Sequence, residues 1–263
     1  MIEWLLSPVD PERVHEVSSL VAWHGRGMVL AWGIILPLGV IAARFYKVMP
    51  GQDWPREIEN PVWWLLHRVL QYGGLGIMVL ALVAILLSDV SMPGAALHVW
   101  MGWSMFALAA IQFVAALMHG TKGGPRDRGP DGSTFGDHYN MTRHRIVFEW
   151  VHKNLGYLLL GMSVISIISG LWISNALRWM WVVQIIWWIA IIWWFAALQR
   201  RGRAIDTYQA IWGTHPEHPG NRAKPVGWGI TRGEPDAETD NESIRDRLTA
   251  KQTKTWWEVL ILR

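Results

Sequence analysis

Residues 21–47, VAWHGRGMVLAWGIILPLGVIAARFYK, contain an apolar run long enough to cross a lipid bilayer as one helix. A transmembrane helix needs about 20 mostly apolar residues to cross the ~30 Å hydrocarbon layer. Four further stretches meet this requirement, so the sequence predicts an all-α integral membrane protein with a bundle of five transmembrane helices. The predicted spans are residues 20–45, 62–88, 93–118, 146–172 and 176–199.

The composition excludes several redox chemistries. Of the 263 residues, 51% are hydrophobic and 17% are charged, and none is cysteine. The chain therefore cannot form disulfides, Cys-ligated iron–sulfur clusters, covalently attached haem or thiolate zinc sites. Any redox centre must be bound by His, Met or carboxylate side chains. The basic pI of about 9.3 does not indicate a nucleic-acid partner, because the basic residues lie beside the spans.

The distribution of basic residues predicts the orientation in the membrane. On one side, the loops contain only Arg13 and Arg178. Loops rich in Lys and Arg remain in the cytoplasm, so we expect the N-terminus outside and the C-terminus in the cytoplasm, in a bacterial inner membrane. The basic residues predicted on the cytoplasmic side are Arg44, Lys47, Arg56, Lys122, Arg126, Arg128, Arg143, Arg145, Arg200, Arg201 and Arg203.

The segments outside the predicted membrane domain, residues 20–199, differ in character. Residues 1–19 lack the basic start of a signal peptide and are expected to form an outer N-terminal segment, with the first span retained. A cytoplasmic loop at 119–145 is rich in Gly, Pro and charge. The cytoplasmic tail, 200–263, includes the polar stretch EPDAETDNESIRDR, which is expected to be mobile. The tail ends in TWWEVLILR, which is expected to lie in the lipid interface or to dock on another subunit.

Four of the ten histidines lie inside spans, one in each of the first four: His24, His67, His98 and His152. A titratable ring at membrane depth is costly and indicates a functional site, although a lone His can also serve a helix–helix hydrogen bond. Because neighbouring spans run in opposite directions, His24 and His98 are expected at one depth near the outer face. His67 and His152 are expected near the inner face, ~12 to 18 Å away along the membrane normal.

Two neutral imidazoles at one depth suit the axial ligation of a non-covalent b-type haem between helices. The sequence therefore predicts two haem b groups, each with two His ligands. Copper or zinc would need three or four ligands that converge on one point, which makes these metals the weaker interpretation. Gly102 and Gly156 each follow a ligand by one helical turn and leave room for a macrocycle.

The haem propionates need cations or hydrogen-bond donors. Arg26 on the outer side, and Arg68, Lys153, Arg44 and Lys47 near the inner face, are candidates. The alternative is that these five side chains extend to lipid headgroups.

Four segments in order, each with its His, carry a family resemblance. They are VAWHGRGMVLAWGIILPLGVIAARFYK, WWLLHRVLQYGGLGIMVLALV, ALHVWMGWSMFALAAIQFVAAL and FEWVHKNLGYLLLGMSVISIISGLW. These segments resemble the four core helices of the cytochrome b561 family, over residues 20–172. The resemblance implies two b haems, one held by His24 with His98 and the other by His67 with His152, and electron transfer across the membrane. The 119–145 loop and the tail depart from the family core, and no ascorbate site can be mapped beyond Arg44 and Lys47.

Two other functions remain open. The chain could be a haem-carrying anchor or oxidoreductase subunit linked to quinol, with Gln71, Tyr72 and Tyr157 as polar contacts or as ordinary packing groups. It could also be a structural or assembly subunit that docks on a larger membrane complex through its C-terminal end. Expected partners are lipid, an electron donor and an electron acceptor, either quinol or a redox protein. Solvated side chains are the expectation for the loop histidines His119, His138 and His144, rather than a metal site.

Overall fold

The computed structural model describes residues 1–90, 94–124 and 134–235. Within these residues, five helices are long and apolar enough to cross a membrane, which confirms the predicted fold class. The first to fifth spans are Ser19–Phe45, Val62–Leu86, Ala96–Leu117, Arg143–Ile173 and Arg178–Arg200. The described part of the chain has isolated β-bridges but no strand.

The fourth span begins at Arg143, three residues before the predicted start at 146. Its first turns are polar, and their charges pair along the helix. Glu149 accepts from Arg145 and from Lys153, each four residues away, at 2.9 and 2.7 Å. Such pairs stabilise a helix beyond the limits of its apolar run.

The first span is interrupted by a π-helix at Val29–Ile35, between the α-helices Ser19–Met28 and Leu36–Phe45. Ser18 caps the start of this span by accepting a hydrogen bond from the backbone N–H of Val21. Within the π-helix, the Gly33 carbonyl accepts a hydrogen bond from Trp187 Nε1 of the fifth span at 2.6 Å. A π-turn widens the helix and alters the backbone hydrogen bonding, and such turns are frequent at functional sites.

The described chain divides into two compact units. The first comprises Met1–Val40, Arg68–Gln112 and Leu155–Ala197. Close packing of apolar side chains from the first four spans forms its core. The buried residues of this core are Ala31, Trp32, Leu36, Met78, Met105, Ala109, Leu159 and Ile167.

In the first unit, the N-terminal segment is held by the turn between the fourth and fifth spans. The buried Asn175 side chain donates to the carbonyls of Asp10 and Arg13 at 3.0 and 2.6 Å. Arg13 in turn donates to the carbonyls of Trp172 and Ile173. The two bonds from Arg13 satisfy carbonyls at the end of the fourth span, which have no partner within the helix itself.

The second unit comprises Ile41–His67, Phe113–Asn154 and the described chain from Leu198. Its apolar core contains Trp63, Tyr208, Ile211 and Trp212. The last three belong to a short buried helix, Thr207–Trp212, whose N-cap Asp206 accepts from the Tyr208 N–H. Residues 200–235, called here the C-terminal cover, are therefore folded, whereas composition indicated only a polar tail. Residues 236–263, with the apolar end and most of EPDAETDNESIRDR, lie outside the described residues.

Candidate functional site

In the first unit, two of the four predicted ligands face each other. The ring centroids of His24 and His98 lie 6.2 Å apart, with their planes at 83°. His24 lies in the first turns of the first span and His98 near the start of the third. Both rings are partly buried, so the pair lies within the bundle rather than on the lipid surface.

Hydrogen bonds determine which nitrogen of each ring is available. His24 Nδ1 lies 3.0 Å from the Ala81 carbonyl, which can only accept, so Nδ1 carries the proton. His98 Nδ1 lies 2.9 Å from Ser169 Oγ, whose own hydrogen is donated to the Ser166 carbonyl at 2.9 Å. His98 Nδ1 is therefore also the donor. Both Nε2 atoms then keep a lone pair for a metal, the arrangement typical of ligating histidines.

In the second unit, the ring centroids of His67 and His152 lie 6.3 Å apart, with their planes at 77°. Other aromatic rings surround this pair. Trp64 stacks on His67 at 6.1 Å, and Phe148 stacks on His152 at 5.3 Å. His119 lies between the two stacking residues, 6.3 Å from each.

Both centroid separations suit an iron bound on opposite sides by two imidazoles. With an iron–nitrogen bond of about 2 Å and roughly 1 Å more to each ring centre, the expected separation is about 6 Å. The residues therefore fit a haem at each pair.

The two predicted glycines differ in the space beside them. A Cβ added at Gly102, one turn after His98, would meet no atom within 4 Å. A Cβ at Gly156 would lie 3.4 Å from the Gln112 side chain. Gly102 is exposed and thus borders open space, and the Gln112 side chain bounds the space at Gly156.

Arg44, Lys47 and Lys153 are bound by the C-terminal cover. Arg44 donates to the Trp228 carbonyl at 2.9 Å, Lys47 to the Ile205 carbonyl at 2.8 Å and Lys153 to the Val226 carbonyl at 2.7 Å. Arg44 and Lys47 are only 6% and 4% exposed, so the alternative that these two side chains extend to lipid headgroups is wrong. The reason is that backbone carbonyls of the cover replace the water that an extended cation would seek.

Burial, with the positive charge of Lys153, lowers the pKa of Lys47 to about 7. Its ammonium group also lies near the Arg44 carbonyl, at 3.4 Å. The remaining two candidate cations sit over aromatic rings. The guanidinium of Arg26 lies 5.7 Å from the Trp23 ring centroid, and that of Arg68 lies 5.7 Å from the Tyr72 centroid.

The residues considered for a quinol contact receive limited support. Gln71 donates to the Leu36 carbonyl at 3.1 Å, which is a helix-packing contact between the first and second spans. Tyr72 is 46% exposed. Tyr157 is partly buried in the fourth span.

The expectation of solvated loop histidines is wrong for His138, which is only 3% exposed. Its ring packs edge-on against Tyr208 and Trp212 of the cover. Its Nε2 lies 3.9 Å from a Glu149 carboxylate oxygen and has no hydrogen-bond partner. His144, by contrast, has a side chain that is 52% exposed. Sequence pattern could not distinguish the two, because the cover residues that bury His138 are about 70 positions away along the chain.

The burial of His138 predicts acid sensitivity. Burial, with the positive charge of Arg145, lowers its pKa from 6.5 to about 3, and the Glu149 carboxylate opposes this shift. Between these values the unfolded chain binds more protons than the folded chain, so the free energy of unfolding falls as the pH falls from 6.5. By pH 4 the expected loss is a few kcal/mol, on the order of 1.4 kcal/mol per pH unit.

Denaturant unfolding between pH 4 and pH 7 measures this effect. A neutral His138→Gln variant should show a weaker pH dependence than the wild type, whereas the exposed control His144→Gln should match the wild type. Equal slopes for all three proteins would contradict a role for His138.

Among the described residues, no group of three or more His, Asp or Glu side chains is placed to hold a metal ion. His119 is the residue at this site that sequence analysis missed. It lies two residues beyond the third span, so its position in the sequence indicates a loop residue. Trp64 and Phe148, each one helical turn before His67 or His152, are the signal in the sequence for an aromatic cluster there.

Comparison with known proteins gives relatives at low identity. The chain is 25% identical over 167 residues to a cytochrome b561, DM13 and DOMON domain-containing protein of Arabidopsis thaliana, covering 64% of this chain and 16% of the relative. It is 28% identical over 156 residues to an Arabidopsis cytochrome b561 and DOMON domain-containing protein, covering 56% and 27%. It is also 25% identical over 169 residues to ferric-chelate reductase 1 of Bos taurus, covering 62% and 24%.

The matched segments therefore span about a quarter or less of the length of these three relatives. No family model and no solved structure matches the chain.

Proposed function

Because the chain belongs to the cytochrome b561 family, we propose that it is a di-haem b-type cytochrome that transfers single electrons across the membrane. In this proposal, His24 and His98 hold one haem and His67 and His152 hold the other. The observation that carries the proposal is the separation of the ring centroids, 6.2 Å in one pair and 6.3 Å in the other.

A bound haem supplies the one-electron change between ferric and ferrous iron. The side chains of the protein hold and orient it. Ala81 and Ser169 fix the His24 and His98 rings through Nδ1 and direct both Nε2 atoms to the metal. At the other pair, the stacked rings of Trp64 and Phe148 restrict the rotation of His67 and His152 and keep water from the ligands.

The proposed orientation has the N-terminus outside and the C-terminal cover in the cytoplasm of a bacterial inner membrane. Its support is the excess of Lys and Arg in the loops assigned to the cytoplasm. His24 with His98 is then the outer site, and His67 with His152 the inner site. A donor on one face and an acceptor on the other, each a quinol or a redox protein, complete the proposed function.

Haem quantitation of the detergent-purified protein tests the proposal. We expect two haem b per chain by pyridine haemochrome, and reduced-minus-oxidised spectra with the sharp bands of low-spin, six-coordinate iron. One haem per chain would mean that one histidine pair is structural. Absence of haem from protein produced with a haem supply would refute the proposal and leave a structural subunit.

A further inference from the structure

The inner histidine pair belongs to a closed circuit of five aromatic rings. The circuit runs from His67 to Trp64, His119, Phe148, His152 and back to His67. Its five centroid separations lie between 5.3 and 6.3 Å.

This circuit defines where the edge of a bound haem would point. An iron held by His67 and His152 would lie between them, with its macrocycle across the line that joins them. Trp64 would then lie on one side of the macrocycle and Phe148 on the other, because each stacks on its own histidine with planes at 28°. The macrocycle would extend between Trp64 and Phe148, toward His119.

The distance from His119 to the midpoint of the ligand pair suits a propionate side arm of the haem rather than its ring. In an evenly opened circuit with these sides, the His119 centroid lies about 9 to 11 Å from the midpoint of the ligand pair. That point is beyond the rim of the macrocycle and within the length of a propionate arm. In that arrangement His119 would be too far from the metal to be a ligand.

Hydrogen bonds hold both the ring and the backbone of His119. Its Nδ1 donates to the Ala116 carbonyl at 3.0 Å, so Nε2 is the atom left for a haem group. Its backbone carbonyl accepts from Arg145 at 3.3 Å. The Arg145 guanidinium also lies 5.2 Å from the Phe148 centroid and forms an ion pair with Glu149. Arg145 therefore connects the backbone of His119 to the Phe148 ring.

Of the four cations predicted near the inner face, Arg68 lies over the Tyr72 ring, and the other three are bound by the C-terminal cover. Arg44, Lys47 and Lys153 each donate to a backbone carbonyl of the C-terminal cover. We propose, on the basis of the di-haem function above, that His119 is a positioning residue for the inner haem and binds one of its propionates through Nε2. One proton is shared between Nε2 and the carboxylate, which makes the hydrogen bond charge-assisted.

Three variants test this assignment in the haem-loaded protein. His119→Phe keeps a ring of similar shape but removes the nitrogen atoms, whereas His119→Gln keeps a hydrogen-bonding group. His144→Phe is the matched control, because its side chain is 52% exposed and lies outside the circuit. The outer haem of each variant serves as an internal reference. The readouts are the propionate bands in resonance Raman spectra and the rate of haem transfer to apomyoglobin.

In His119→Phe we expect an altered propionate band and about tenfold faster loss of one haem, with the other haem unchanged. His119→Gln should restore much of the wild-type rate, and His144→Phe should behave as wild type. If the Phe variant loses the inner haem completely, the Gln variant decides: retention of haem supports the assignment, and loss equal to that of Phe overturns it.

Unchanged bands and rates in His119→Phe would also overturn it. If the wild-type protein contains two haems, unchanged bands and rates in His119→Phe refute only the role of His119. A wild-type protein with fewer than two haems refutes the proposed function itself.

Discussion

Replacing His98 with Ala is expected to remove one of two haems per chain and to leave the spectrum of the other unchanged. The variant lacks one of the two nitrogens proposed to bind the outer iron, and His24 alone would not hold a low-spin, six-coordinate centre. His152→Ala should have the matching effect on the inner haem. Pyridine haemochrome quantitation and reduced-minus-oxidised spectra measure both results.

The two variants are controls for each other, because each should retain the haem that the other loses. His144→Ala is the control for an exposed histidine and should keep both haems. Imidazole added to the medium should partly restore the missing ligand in each variant, which separates loss of ligation from loss of folding. An unchanged haem-to-protein ratio in both His98→Ala and His152→Ala would contradict the proposed ligand pairs.

Replacing Glu149 with Gln is expected to lower the free energy of unfolding by about 3 to 5 kcal/mol. The Glu149 carboxylate is 5% exposed and accepts hydrogen bonds from Arg145 and Lys153. Gln has the same shape but no charge, so two cations are left without an anion in the protein interior. Desolvated charges without a partner are much more costly than exposed ones.

Denaturant unfolding in mixed micelles measures the effect of Glu149→Gln. Glu217→Gln is the matched control, since Glu217 is exposed on the C-terminal cover, and should change stability by less than about 0.5 kcal/mol. Equal stability of the two variants would mean that the charges of Glu149, Arg145 and Lys153 are solvated rather than buried. The double variant Glu149→Gln with Lys153→Met should recover part of the loss, because it removes one of the uncompensated cations.

The sequence was sufficient to predict the spans and the histidine pairs. Length and apolar composition determine whether a helix can cross the membrane, and both are local properties. The pairing of the rings followed from the alternating direction of the spans, since His24 with His98 and His67 with His152 share expected depths. Only the span ends differed, by a few residues, where charged pairs such as Arg145 with Glu149 extend a helix beyond its apolar run.

The features that were not predicted depend on contacts between distant parts of the chain. Lys47 and Ile205 are 158 residues apart, and the burial of Lys47 and His138 comes from the C-terminal cover. Because the composition of the cover is polar on average, it did not predict the buried helix Thr207–Trp212. The π-helix Val29–Ile35 also has no clear sequence signature, because its apolar residues suit an α-helix equally well.

The carbonyl groups that hold Arg44 and Lys47 are made late in synthesis. At ~5–20 residues per second, a ribosome needs roughly 10 to 30 s to extend the chain over the 158 residues from Lys47 to Ile205. Neither cation therefore has these carbonyl partners when the first span is made, since Ile205 and Trp228 both follow the fifth span in the chain. In the biogenesis of this protein, synthesis of the first span precedes the burial of Arg44 and Lys47 by the C-terminal cover.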